Sequence, residues 1–139
     1  MSFREKSAWI SFVSLLVVFG AYFWNVSRIL HHAVDSHRGA VISFGLIGAF
    51  VVIEIVLHIA VAMQSPKEAK APRDEREQLI ELKSTRVAFQ VLVVGAFAAM
   101  GLMHITSSAF VVGQHILMAI VFAELVKFGV QIHYFRSGV

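Results

Sequence analysis

The sequence predicts an all-α integral membrane protein, a single bundle of four transmembrane helices. Three observations predict it. Four long apolar segments, at residues 8–30, 39–63, 87–106 and 111–135, fill most of the 139 residues, and each approaches or exceeds the about 20 residues that cross a hydrocarbon core. The run from Val87 to Ala123 holds no Asp, Glu, Lys or Arg, which no soluble core of this size hides. Composition agrees, at 58% hydrophobic and 15% charged residues with a mean hydropathy of +0.75, against about 25% charged in soluble domains. This length holds one bundle, with a connector at 64–86 and short tails, and no second domain is expected.

Span 1 follows Arg4 and Lys6, an arrangement that imitates a secretory signal. A signal peptide has an apolar region of about 7 to 15 residues before a small-residue cleavage site, whereas this run continues through Phe19, Tyr22, Phe23 and Trp24. It reads as an uncleaved span, with Trp9 at one end and Tyr22 and Trp24 at the other in aromatic belts. The turn after it, His31-His32-Ala33-Val34-Asp35-Ser36-His37, carries ligand types that suit zinc, copper or nickel, and His104 can join from the second turn. No HExxH or other spaced motif accompanies them, so a metal-free interfacial turn is the expected state.

Span 2 contains Glu54 and, four residues on, His58. Span 4 contains Glu124, with Lys127 and Gln131 at i+3 and i+7. Each thus carries one polar stripe, and both carboxyls lie about 15 Å deep. Ionisable groups there cost about 2.5 to 3.5 kcal/mol and normally face a bundle interior, so Glu54, His58, Glu124, Lys127 and Gln131 are expected to form one intramembrane cluster. Two readings remain open: a polar clamp, with Lys127 neutralising one carboxyl while the other is hydrogen-bonded, or a proton pathway. Haem b would need facing histidines at one depth, and His58 with His133, or His31 or His32 with His104 or His115, offers that. His115 and His133 are separated by about 27 Å along one helix and no other span carries a matching pair, so no cofactor is expected.

The connector is the one soluble-looking segment. Residues 64–72 contain both prolines and read as an extended link. From Arg73, acidic Asp74, Glu75 and Glu77 precede an apolar stripe at Leu79, Ile80 and Leu82, as in a first helical turn, so span 3 is expected to begin as a helix outside the bilayer. Arg73, Asp74, Glu75, Arg76, Glu77 and Lys83 are the candidate contacts for a protein partner. Nine of the twelve basic residues lie at the two termini or in the connector and a tenth, Lys127, in the second half of span 4, which by the positive-inside rule places both termini and the connector in the cytoplasm. The net charge of +3 is therefore an orientation signal and not a nucleic-acid surface.

Lys6-Ser7 with Phe12 before span 1 matches Lys83-Ser84 with Phe89 before span 3, and Glu54 overlays Glu124 in similar surroundings. Two readings stand beside each other, two repeated two-helix hairpins or a chance likeness among apolar helices. With no Cys, disulfides, thiolate metal sites and c-type haem are excluded. No GxSxG, phosphate loop or GxGxxG is present, and nothing argues for an enzyme.

Pro72-Arg73-Asp74-Glu75-Arg76-Glu77-Gln78-Leu79-Ile80-Glu81-Leu82-Lys83, leading into an apolar span, resembles the connector of a group of small uncharacterised bacterial four-span membrane proteins. Members are often encoded beside a small helix-turn-helix regulator, so the resemblance implies a bacterial inner membrane and a transcription regulator as partner. The expected function is a non-enzymatic membrane regulator or sensor acting through the connector. The alternative is a small proton-coupled transporter or channel using Glu54 and Glu124, for which four spans enclose so little space that a homodimer is expected.

Overall fold

The computed structural model describes residues 2–30, 36–64, 66–67, 71–106 and 108–137 and contains four long helices. These are α1 (Phe3–Leu30), α2 (Ser36–Gln64), α3 (Glu75–Leu102) and α4 (Ala109–Ser137). All four are long and apolar enough to cross a membrane, and among the described residues there is no strand. At 28 or 29 residues each is about 42 to 44 Å long, more than the about 30 Å of hydrocarbon, so the helices project beyond it.

Local chemistry sets the ends. The Ser2 hydroxyl accepts the Glu5 N–H at 3.2 Å and opens α1. Asp74 caps α3 in extended backbone geometry, its carboxylate accepting the Glu77 N–H at 2.6 Å, while Glu75 and Glu77 in the first turn complement the macrodipole. Helix α3 therefore starts in the connector, twelve residues before the apolar span. Its other end falls short of the expected Thr106. After Leu102 the chain makes a turn through His104 and Ile105, closed by bonds such as Ile105 N–H to Leu102 C=O at 2.9 Å. The Ser108 hydroxyl then accepts the Val111 N–H and caps α4. Hydroxyls that offer these caps compete with helix continuation, which is why the apolar run breaks here.

Helix α4 is the hub: its most extensive contact is with α3, the next with α1, and α2 touches α1 but only brushes α4. The α3–α4 seam is close because small residues line it. A Cβ on Gly95 would lie 2.6 Å from the Ala119 Cβ, and Ser84, Ala88, Ala99 and Ala123 are buried. The core of the other seams gathers Leu15, Phe19, Tyr22, Val26 and Val121, with Phe19 edge-on to Phe50 of α2 at 5.1 Å. By contrast, no residue of the most apolar stretch of α2 is buried within the chain. A stretch whose apolar side chains are left so largely uncovered by the rest of the chain is stable with hydrocarbon as its solvent.

Candidate functional site

The polar residues inside the spans separate into three groups. In the first, Glu54 of α2 faces the α1 stripe Ser11 and Ser14. The Ser11 hydroxyl donates to Glu54 Oε2 at 2.9 Å, and the single O–H of Ser14 lies within reach of two acceptors, Glu54 Oε1 and, at 2.7 Å, the Ile10 carbonyl. His58, one turn further along α2, sets Nδ1 at 2.8 Å from the Glu54 carbonyl and 3.4 Å from its carboxylate, with Nε2 3.4 Å from Ser11 Oγ. The carboxyl is thereby met by three polar contacts from two helices.

In the second group Glu124 and Lys127 pair along α4 itself, Nζ to Oε2 at 3.1 Å. Lys127 also lies 5.3 Å from the Phe128 ring centre. With Gln131 it lines a cavity of about 180 Å³ at the connector end, together with Arg4, Arg73, Glu77 and Glu81. The two stripes do not meet. Among the described residues no hydrogen bond or ion pair joins Glu54 or His58 to Glu124, Lys127 or Gln131. The α3 positions that correspond to Ser11 and Ser14 in the internal match are Ala88 and Val91, so the seam next to Glu124 lacks those hydroxyls. Each carboxyl has found a different set of partners, and the two halves differ at the residues that looked most alike.

The third group was not expected as a site. Tyr22, which the sequence places in an aromatic belt, is only 4% exposed. Its hydroxyl contacts Ser43 of α2 and donates to Gln114 Oε1 of α4 at 2.7 Å, and Gln114 Nε2 donates to Ser43 Oγ at 3.0 Å. Three helices are tied by one buried polar knot. Gln114 is the residue the sequence reading missed, and its signal was available: an amide in a charge-free span needs partners. Trp24 does face outward.

At the connector end, most of the candidate partner contacts are engaged within the chain. Arg4 of α1 pairs with Glu77 at 3.2 Å and donates to the Ala71 carbonyl, Arg73 pairs with Glu81, and Asp74 is the cap of α3. Arg76 donates to the Tyr134 and Phe135 carbonyls near the end of α4, and Lys83 lies 5.4 Å from the Tyr134 ring centre. Arg136 pairs with Glu5 at 3.4 Å and stacks on the Trp9 ring. Glu75 is exposed. The opposite side of α3 is the locked one, with Ile80 1% and Ser84 0% exposed, whereas Leu79 is 40% and Leu82 68% exposed.

Of the histidines, His31 and His32 and the side chain of His37 lie outside the described residues. His104 is exposed in the turn after α3. His115 is 2.8 Å from the Val111 carbonyl and His133 packs on Tyr134. Among the described residues no group of three or more His, Cys, Asp or Glu stands close enough to hold a metal.

Residues 4–139 match the model of a family described as predicted membrane protein (DUF2178), and the chain belongs to that family. No curated protein and no solved structure matches it.

Proposed function

We propose that this membrane protein is a non-enzymatic regulator that holds a soluble protein partner, such as a transcription regulator, against the connector end of its bundle. In this reading it sits in a bacterial inner membrane with both termini and the connector in the cytoplasm. The supporting observation is the free face of α3 before its apolar span: Leu79 and Leu82 stand out beside exposed Glu75, Gln78 and Arg86, while the Arg4–Glu77 ion pair and the hydrogen bonds of Arg76 to the Tyr134 and Phe135 carbonyls fix the helix behind them. Apolar side chains rimmed by charges of both signs on a rigid support are the anatomy of a small protein interface. The ion pair and hydrogen bonds hold the platform and Leu79 and Leu82 make the contact. The test is co-purification from native membranes. The intact chain is expected to retain a soluble protein that Leu79→Ser with Leu82→Ser releases; no retained protein, or retention unaffected by the double variant, rules the reading out.

A second reading has its own observation. The Glu54 carboxyl, Ser11 and His58 form a short hydrogen-bonded chain between α1 and α2, the kind of arrangement through which protons enter a membrane. It predicts a pH-driven flux in proteoliposomes that Glu54→Gln abolishes while the protein still folds. Flux equal to that of empty liposomes removes it.

A further inference from the structure

Between α2 and α4, near the end of the bundle away from the connector, the sparse contact of the two helices leaves a trough open to the bilayer. Its volume is about 580 Å³, within the about 300 to 1,000 Å³ of small-molecule sites. The walls are apolar, from Phe44 and Ile47 on α2 to Leu117 and Ile120 on α4, and Ser43 and Gln114 form a polar spot on its lining. Gln114 is 8% exposed, yet its amide is incompletely used. The side-chain amide has two N–H donors, and whichever way it is turned only one of them serves the knot with Tyr22 and Ser43. A second donor remains beside an apolar trough, where leaving it unmet costs about 1 to 3 kcal/mol.

Depth says what meets it. Helix α4 exceeds the hydrocarbon thickness by about 14 Å, and sharing that excess between its ends puts the hydrocarbon boundary about five residues in from Ala109, at the level of Gln114. Outward-facing Trp24 on α1 and Arg38 on α2 mark the same end of the bundle. At that boundary a phospholipid carries its ester carbonyls, which accept hydrogen bonds and donate none, and from there its acyl chain runs toward the midplane as the trough does. We propose that the α2–α4 trough is a phospholipid site, in which a glycerol ester carbonyl accepts from Gln114 and one acyl chain lies along Ile47, Leu117 and Ile120. This goes beyond the regulatory reading and does not depend on it.

The test uses the full chain in nanodiscs of phosphatidylethanolamine and phosphatidylglycerol containing a phospholipid with a diazirine in the acyl chain, followed by peptide mapping. Labelling at Leu117 and Ile120 is expected to exceed, by at least threefold, that at Val94 and Val17, which are 69% and 62% exposed on α3 and α1. Gly113→Leu puts a side chain into the trough, where an added Cβ meets nothing within 4 Å, and is expected to bring trough labelling down to the level of Val94. Gln114→Glu, which removes the amide donors, is expected to lower it severalfold. Excess unlabelled phospholipid should compete. Labelling at Leu117 and Ile120 no higher than at Val94 and Val17 overturns the site, because the trough is then ordinary lipid solvation. Persistence of the excess in Gly113→Leu also overturns it. Competition by free palmitate or by a prenylquinone, but not by phospholipid, overturns the assignment of the ligand.

Discussion

Glu54 and Glu124 look equivalent in sequence and are not equivalent in the folded chain, because the residues within reach of each differ. Glu54 has two serine hydroxyls across the α1–α2 seam, whereas Glu124 has Lys127 one turn away on its own helix. The need for partners was legible from the spans, and so was the pairing of Glu124, which follows from i+3 spacing. The partners of Glu54 were less so. Ser11 and Ser14 are three residues apart on one face of α1, a signal present in the sequence, but which seam that face enters depends on packing. The Glu124 side chain is 42% exposed, so Lys127→Leu leaves a carboxyl that looks out of the bundle with no cation beside it. Removing Lys127 alone is expected to destabilise by about 3 kcal/mol, the order of the cost of an ionisable group at the centre of a span. Adding Glu124→Leu should recover most of that. Thermal unfolding in detergent measures both; a single-variant loss with no recovery in the double variant contradicts the pairing.

At the scale of the helix, the sequence showed where α3 begins, since Asp74 with Glu75 and Glu77 is a start signal that needs no tertiary context. It did not show that α4 is the centre of the bundle or that α2 is nearly bare, because all four spans are apolar over most of their surface and hydropathy alone does not choose a face. What chooses it is small-residue geometry. Gly95 leaves room for close approach, and Ala119 is the neighbour it admits. Gly95→Ala is therefore expected to cost about 1 to 3 kcal/mol through overpacking, and Ala119→Gly in the same chain to restore much of it. If Gly95→Ala unfolds at the temperature of the unaltered chain, the seam is not where the two helices are fastened.

Seen whole, the molecule is a bilayer-embedded bundle with one elaborated end. The connector end has the ion pairs of Arg4, Arg73 and Arg136, a small polar cavity and the projecting start of α3. The opposite end has the turn through His104 and Ile105 and, among the described residues, no ion pair. That asymmetry was legible as the distribution of Lys and Arg; the inward engagement of Arg73, Arg76 and Lys83 was not, since their partners lie up to 59 residues away. Regulation through a cytoplasmic partner requires the elaborated end to face the cytoplasm, and the chain's lack of cysteine makes this directly measurable. Single cysteines at Glu75 and at Ser108 can be challenged in intact cells with a membrane-impermeant thiol reagent. The account predicts that Ser108→Cys is modified at once and that Glu75→Cys is modified only after the membrane is opened; immediate modification of Glu75→Cys, with Ser108→Cys protected, would contradict it.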